Sequence, residues 1–304
     1  MRTLRSKSRD KEVKDGIEKV FSSMNLRFIE THLMTDDGWE QAMAGCKYVI
    51  HVAMPFIIAE PKDPDDIILP TVEGTKRVLR FAKEAGVKRV VLTSTTLNVG
   101  HHNYSGMYDH NSWTDHKSNN ISTYVRAKVL QELAAWNFIN SQEGKTKLEL
   151  TVLLLGGVFG PALTASGVSR DLIKQLIEGK QPMVPDLHIP MVDFRDSAIA
   201  HLKAMETKLA NGKRLIIGNP DIGIESFESI CRVLRQNGFS KVPKIKAPTF
   251  LIKLMGLFDK EAKGMAPLLG KINRLDSSLT KEILNWEPTI PMEKMVVDLA
   301  QSID

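Results

Sequence analysis

Short runs of β-branched residues alternate with helical stretches through roughly the first half of this 304-residue chain. Such alternation is typical of βαβ units, which form a parallel sheet covered by helices on both faces. The pattern predicts strands at residues 26–30, 48–53, 89–93, 148–155 and 214–217. Because connections of this length join parallel strands by right-handed crossovers, the sequence predicts an α/β fold.

Two connecting segments carry clear helix signals. Residues 70–85 have apolar side chains at helical spacing, and Gly86 is well placed to end that helix. A second helix is expected after Ser122 or Thr123, since either hydroxyl could cap its first turn.

The alternation fades in the second half of the chain, where prolines become frequent. We therefore expect one domain at residues 1–157 and a smaller lobe at residues 158–304. Within that lobe, residues 190–220 or so are expected to return to the main sheet.

Composition argues against several classes of protein. Lys and Arg number 41 against 36 Asp and Glu, and they are spread along the chain rather than clustered as in nucleic-acid binders. Cys46 and Cys231 are far apart, which favours neither a disulfide framework nor a zinc site. Apolar runs are too short to span a bilayer, and the basic N-terminal stretch contains acidic residues that transit peptides lack. We expect a cytoplasmic protein without a metal or a membrane contact.

Tyr124 and Lys128 are four residues apart in the second predicted helix, so they share one face. An isolated tyrosine has a pKa of about 10, and a neighbouring ammonium favours its phenolate form. The pair is therefore a candidate acid–base site, although Tyr-x-x-x-Lys also arises often by chance.

Four hydroxyl residues in a row begin at the last residue of the predicted strand 89–93. They are Thr93, Ser94, Thr95 and Thr96. Open α/β sheets place their ligand sites at the carboxyl ends of the strands. These hydroxyls either form part of such a site or simply end the strand and turn the chain.

Several longer motifs make the pattern specific. They lie at residues 49–55, 62–64, 70–75, 89–95, 108–115, 124–128, 134–136, 156–161, 192–196 and 284–286. With these motifs the chain resembles the dihydroflavonol reductase and aldehyde reductase branch of the extended short-chain dehydrogenase/reductases, within the NAD-dependent epimerase/dehydratase superfamily. The resemblance implies a Rossmann-like, doubly wound parallel sheet with a smaller C-terminal substrate lobe.

The resemblance also implies roles for individual residues. Thr95 would hydrogen-bond the substrate carbonyl, and Tyr124 would protonate its oxygen as a general acid. Lys128 would hold the nicotinamide ribose and lower the pKa of Tyr124. The cofactor would be NADP, with NAD possible, and Arg5 would pair with the 2′-phosphate unless it is a solvated surface charge. The other expected cofactor contacts are Leu33, Val52, Ala53, Met54, Thr93, Leu155 and Val158.

The chain departs from the family pattern at one point. Family members begin with a strand and a glycine-rich turn that receives the pyrophosphate, whereas the first residues here match the second strand of the family. No G-x-x-G-x-x-G motif occurs in the sequence. We therefore expect a fold that lacks the first βα unit, an unprotected gap in the sheet and weakened dinucleotide binding.

The resulting hypothesis is an NADP(H)-dependent reductase of a small or medium aldehyde or ketone, acting as a monomer or homodimer. A sugar-nucleotide epimerase or dehydratase is an alternative, because such relatives use the same hydroxyl, tyrosine and lysine. A non-catalytic binding protein is a third reading, because the phosphate loop is missing. The segment 192–196 and the histidines His51, His101 and His102 are interpreted as structural.

Overall fold

The computed structural model describes residues 2–20, 26–55, 59–100, 106–144, 146–164, 167–218 and 225–303. Within these ranges the strands are β1 (Arg2–Leu4), β2 (Phe28–Glu30), β3 (Tyr48–His51), β4 (Arg89–Thr95), β5 (Gly106–Tyr108), β6 (Glu149–Leu155), β7 (Gly157–Phe159), β8 (His188–Ile189), β9 (Met191–Asp193), β10 (Arg214–Ile217), β11 (Glu225–Ser226) and β12 (Asn273–Leu275). His101 and His102 lie outside the described residues.

The α-helices of the described residues are α1 (Asp10–Glu18), α2 (Trp39–Met43), α3 (Asp65–Glu84), α4 (Leu97–Gly100), α5 (Thr123–Asn140), α6 (Val168–Ile177), α7 (Phe194–Glu206), α8 (Phe227–Gln236), α9 (Thr249–Met255), α10 (Lys260–Met265), α11 (Ser278–Leu284) and α12 (Met292–Gln301). Short 3-10 helices lie at Lys7–Arg9, Lys208–Ala210 and Ala266–Leu268. None of the helices in these ranges is both long and apolar enough to cross a membrane.

The main sheet contains four parallel strands in the order β10-β6-β4-β3. Val90 and Leu92 of β4 pack with residues of α3 and α5, whereas Val91 packs with residues of α7 on the opposite face. Because both faces are covered, β4 and β6 are apolar along most of their length rather than alternating. The expected parallel α/β architecture is confirmed.

A second, two-stranded parallel sheet contains β1 and β2, with Arg2 opposite Phe28 and Leu4 opposite Glu30. In the described ranges, no ladder joins β1 to β3. A cavity of about 520 Å³, which we name the inter-sheet cavity, is lined by residues of β1, α2 and β3. The expected gap in the sheet is therefore present.

The first long helix, α3, begins earlier than the sequence predicts. It starts at Asp65 rather than near Pro70, because two acidic residues in its first turn complement the helix dipole. Pro70 lies inside the helix, where it lacks an N–H but fixes a φ compatible with helix. The end is as predicted, since Gly86 adopts a φ of 71° and the N–H of Val87 donates to the carbonyl of Ala82.

Other element boundaries shift by one or two residues. Strand β4 continues to Thr95 because Ser94 and Thr95 still pair with the end of β6. Ser122, one of the two expected caps, accepts a hydrogen bond from the N–H of Val125 at the start of α5. Thr95 is therefore the last residue of strand β4, and pairing with β6 fixes the backbone that carries its hydroxyl.

The C-terminal part of the chain has its own apolar cluster, built mainly from α6, α8 and α12. The segment that follows β9 connects it to the main sheet. The Asp196 carboxylate accepts hydrogen bonds from the backbone N–H groups of Thr289 and Ile290, and α7 packs against β4 and β6. This is the structural role expected for residues 192–196. The domain boundary at residue 157 stays a prediction.

Arg89, the first residue of β4, is fully buried. Its guanidinium pairs with Glu149 of β6 and donates to the carbonyls of Ala204 and Thr207 at the end of α7. Arg89 therefore joins the start of the sheet to the helix that covers its second face.

We expect Arg89→Met to lower the free energy of unfolding by about 3–5 kcal/mol, because the buried carbonyls and the Glu149 carboxylate lose their donor. Urea unfolding at equilibrium measures the change. The matched control is Arg80→Met, since Arg80 pairs with Asp36 at the surface, and its loss should cost less than about 1 kcal/mol. Equal losses in the two variants would contradict this role of Arg89.

Candidate active site

A cavity of about 450 Å³ opens at the carboxyl ends of β4 and β6, and we name it the main cavity. Eight of the residues expected from the sequence line it: Val52, Met54, Thr93, Thr95, Tyr124, Lys128, Leu155 and Val158. The hydroxyl run and the tyrosine–lysine pair are therefore brought together, although they lie on different elements. This position is the one at which open α/β sheets bind their ligands.

The remaining three expected residues lie elsewhere. Ala53 lines the inter-sheet cavity. Arg5 is exposed directly after β1. Leu33 lines neither cavity but packs against α3, where a Cβ added to Gly74 would lie 2.8 Å from the Leu33 Cβ. The cofactor roles of these three residues stay predictions, and the contact with Gly74 gives Leu33 a packing role.

Thr95 and Tyr124 hydrogen-bond each other through their side chains. The backbone N–H of Leu97 donates to the Thr95 Oγ1 over 3.3 Å. Since that contact uses only a lone pair of Oγ1, the Thr95 hydroxyl retains its proton for donation. Their mutual bond uses one of the two hydroxyl protons, so both O–H groups can donate to a single ligand oxygen only when that oxygen replaces the mutual bond.

Part of Tyr124 is accessible from the main cavity, yet the surrounding protein desolvates its phenol. Burial raises the pKa of Tyr124 above its usual value, and the Thr95 hydroxyl opposes that rise. The expectation that Lys128 lowers the pKa of Tyr124 stays a prediction, because burial is the largest effect on the phenol in this structure.

Lys128 is buried, and its Nζ donates to the Thr93 carbonyl over 2.9 Å and to the Gln131 Oε1 over 3.1 Å. Burial lowers the pKa of Lys128 to about 8, and the negative charge of Glu132 opposes the decrease. An ammonium has three donors. Among the described residues two of them have acceptors, so the third can serve a ligand in the main cavity.

Sequence reasoning missed a buried acid beneath the site. Glu132 has no exposed surface, and its carboxylate accepts hydrogen bonds from Asn98 and Ser94 and pairs with Arg214 of β10. The Arg214 guanidinium in turn lies 3.7 Å from the centre of the Trp113 ring. The signal that could have revealed Glu132 is its position four residues after Lys128, on the same helix face.

Thr93 is fixed by a histidine of α7. The His201 Nδ1 donates to the Ser197 carbonyl over 2.7 Å, so a neutral ring leaves its Nε2 as an acceptor. That Nε2 lies 2.8 Å from the Thr93 Oγ1. Because burial lowers the pKa of His201, the ring is neutral at physiological pH and the Thr93 hydroxyl is the donor.

One part of the main-cavity wall depends on a close backbone contact between Gly156 and Pro190. Gly156 follows β6, and a Cβ built on it would lie 2.5 Å from the Pro190 carbonyl oxygen. The segment His188 to Pro190 can therefore approach the end of β6 only because residue 156 has no side chain.

The donor set suits one half of a dinucleotide. Among the described residues one N–H of Lys128 has no acceptor, and Thr95 and Tyr124 line the same cavity, as a nicotinamide riboside and a carbonyl substrate would require. The sequence contains no glycine-rich phosphate turn for the pyrophosphate. Among the described residues, no group of His, Cys, Asp and Glu side chains could hold a metal ion.

The parallel sheet with its cavity at the strand ends defines a Rossmann-like α/β protein. Residues 2–218 match the profile of the NAD dependent epimerase/dehydratase family, and the chain belongs to that family. The resemblance expected from the sequence motifs is confirmed.

Several reductases are similar in sequence. Anthocyanidin reductase of Arabidopsis thaliana is 30% identical over 69% of this chain and 66% of its own length. A cinnamoyl-CoA reductase of Medicago truncatula is 29% identical over 77% of this chain and 72% of its own length. The NADPH-dependent methylglyoxal reductase of Saccharomyces cerevisiae is 29% identical over 56% of each chain. The alignments thus span between 56% and 72% of these relatives.

Solved structures share the fold. The NADPH complex of Gre2 from Candida albicans superposes with a TM-score of 0.74 at 22% identity, covering 99% of this chain and 90% of that one. Vestitone reductase from alfalfa gives a TM-score of 0.70 at 19% identity, covering 99% and 88% of the two chains. The predicted fold class is therefore confirmed.

We expect Gly156→Ala to destabilise the protein by about 1–3 kcal/mol, because the new methyl group forces the Pro190 backbone away from β6. Gly218→Ala is the matched control, since a Cβ there would lie 3.7 Å from the Pro190 Cβ, an ordinary contact. Thermal and urea unfolding of both variants measure the difference. Equal stability of the two variants would show that the close approach at Gly156 does not define this wall.

Proposed function

We propose that this protein is an NADP(H)-dependent reductase that converts an aldehyde or ketone to an alcohol. The observation that carries the proposal is the meeting of Thr95, Tyr124 and Lys128 in one cavity at the end of β4. The names of the relatives support it, because a methylglyoxal reductase described as NADPH-dependent and plant reductases are among them.

When bound, NADPH would supply the hydride that reduces the carbonyl carbon. Lys128 would hold the nicotinamide ribose through its third N–H. Arg5 is exposed after β1 and would pair with the 2′-phosphate that distinguishes NADP from NAD. Val52 and Met54 would form the apolar wall beside the ribose and the nicotinamide.

Thr95 and Tyr124 would act together on the carbonyl oxygen. Thr95 donates a hydrogen bond that holds the oxygen, and Tyr124 transfers its proton to that oxygen as negative charge develops there. The raised pKa of Tyr124 keeps the phenol protonated before the reaction. The phenolate that remains after the transfer is favoured by the positive charge of Lys128, and solvent later returns the proton.

The lining of the main cavity favours a substrate with an apolar body. Leu97, Leu155, Val168, Ile189 and Leu268 are among the apolar residues of the lining, which also contains the polar residues Ser169, His188, Lys271 and Asn273. A nucleotide sugar would leave many of its hydroxyls without partners against such a surface. A small or medium carbonyl compound therefore fits better than the substrate of an epimerase or dehydratase.

We expect the protein to bind NADPH saturably and to oxidise it in the presence of a carbonyl substrate. Tyr124→Phe should reduce turnover by about 10²–10⁴-fold, because the proton donor is lost, while NADPH affinity stays within a few-fold. Tryptophan fluorescence measures binding, and NADPH absorbance measures turnover across a panel of aldehydes and ketones. The control is Tyr48→Phe, which removes a phenol from the inter-sheet cavity instead.

The competing functions give different results in the same experiment. If the protein retains NAD tightly and converts a nucleotide sugar, its function is that of an epimerase or dehydratase and not of a reductase. If the folded protein binds neither NADPH nor NADH, the result favours a non-catalytic binding protein. Normal carbonyl reduction by Tyr124→Phe would remove Tyr124 from the mechanism.

We expect carbonyl reduction to decline as the pH rises through about 8. Burial lowers the pKa of Lys128 to about 8, so the ammonium loses its proton there, whereas the raised pKa of Tyr124 keeps the phenol protonated. The pH dependence of kcat/KM between pH 6 and roughly 10 measures the decline. A rate that stays constant to about pH 9.5 would contradict the assignment to Lys128.

A further inference from the structure

A chain of buried side chains leads away from Lys128. The Lys128 Nζ donates to the Gln131 Oε1 over 3.1 Å, and the Gln131 Nε2 donates to the Thr75 Oγ1 over 2.8 Å. The Thr75 Oγ1 lies 3.0 Å from the His51 Nε2. The chain links α5, α3 and β3, and it runs from the main cavity to the inter-sheet cavity, which His51 lines.

All four side chains are almost completely buried. Their exposed fractions are 4% for Lys128, 1% for Gln131, 1% for Thr75 and 4% for His51. At this depth an unpaired polar group costs free energy, so each contact matters for the state of its neighbour.

The ammonium determines the direction of every contact in the chain. Lys128 can only donate, so the amide of Gln131 must point its oxygen at Lys128 and its NH₂ at Thr75. The Thr75 hydroxyl accepts that hydrogen bond and can donate its own O–H to the His51 Nε2. Burial and the nearby charge of Lys128 together lower the pKa of His51 to about 3, so the ring is neutral and can accept.

The charged and titratable groups around Lys128 come from several elements. Glu132 on the same helix is negative and is already paired with Arg214 of β10. His51 from β3 and His201 from α7 are both neutral, and Tyr124 retains its proton. Gln131 is therefore the side chain that contacts the ammonium directly while adding no charge of its own.

We propose that Gln131 is a positioning residue for Lys128. Its amide, oriented by Thr75, holds the ammonium against the Thr93 carbonyl at the base of the main cavity and stabilises it in the charged form. The remaining N–H is then directed by two fixed contacts rather than by rotation of a free lysine. The contribution of Gln131 to catalysis rests on the proposed function, whereas its effect on Lys128 does not.

The test is the titration of Lys128 itself, followed by NMR in protein labelled with ¹³C at lysine Cε. The Lys128 signal is assigned by its loss in Lys128→Arg. Removing the acceptor in Gln131→Leu should lower the Lys128 midpoint by about one pH unit. Placing a carboxylate there in Gln131→Glu should raise it by about one unit or more. A general loss of packing would shift the Lys128 midpoint in the same direction in both variants. Opposite shifts therefore distinguish the proposed contact from such a loss.

The matched control is Gln142→Leu. Gln142 is also a buried glutamine, but its side chain bonds the backbone of Ile139 and Leu148 and not Lys128. Its replacement should reduce stability and leave the Lys128 midpoint at the wild-type value. The same midpoint in wild type, Gln131→Leu and Gln131→Glu would overturn the proposal, and so would an equal shift in Gln142→Leu.

The activity measurement separates this inference from the proposed function. In a protein that reduces carbonyl compounds, the alkaline decline of kcat/KM should move in the same direction as the NMR midpoint in each Gln131 variant. A decline that stays fixed while the midpoint moves would overturn the catalytic part of the inference. Absence of carbonyl reduction in the wild type would overturn the proposed function, and the NMR result would still decide the role of Gln131.

Discussion

The buried carboxylate of Glu132 is the constraint on which the geometry of the site depends. A lone carboxylate at this depth would be strongly unfavourable, so its partners must assemble together with the fold. Those partners are Arg214 from β10, Ser94 from β4 and Asn98 from α4, and Asn98 also donates to the backbone carbonyl of Lys128. This arrangement fixes α5 in one rotation against the sheet.

The fixed rotation of α5 gives its neighbouring positions different tasks. Position 132 faces the buried ion pair, position 131 faces α3, and positions 124 and 128 face the main cavity. A rotation of α5 by one residue would move Tyr124 away from its place in the main cavity and separate Glu132 from Arg214. The hydrogen bonds and the ion pair that satisfy the Glu132 carboxylate stabilise the core. The same contacts fix the orientation of α5 and therefore the direction of Tyr124, the proposed acid.

The sequence predicted those parts of the site that local patterns encode. The strand that ends in hydroxyls and the Tyr124–Lys128 pair could be placed because periodicity and strand ends are local signals. The hydrogen bonds that lead from Lys128 to Thr93, Gln131 and Thr75 could not be predicted. These residues lie on three elements, and one sequence does not show how its elements pack together. For the same reason the raised pKa of Tyr124 escaped prediction, because desolvation depends on residues that are distant in the chain.

The gap between β1 and β3 also divides the molecule energetically. Backbone ladders run continuously through β10, β6, β4 and β3, whereas no ladder of the described residues joins the β1–β2 pair to them. Arg77 and Arg80 bind Asp36, whose side chain is 58% exposed, and such contacts are individually weak. Opening of the β1–β2 pair therefore need not break the main sheet. We therefore expect that local opening at the strand that precedes Arg5 can occur while the main cavity remains intact.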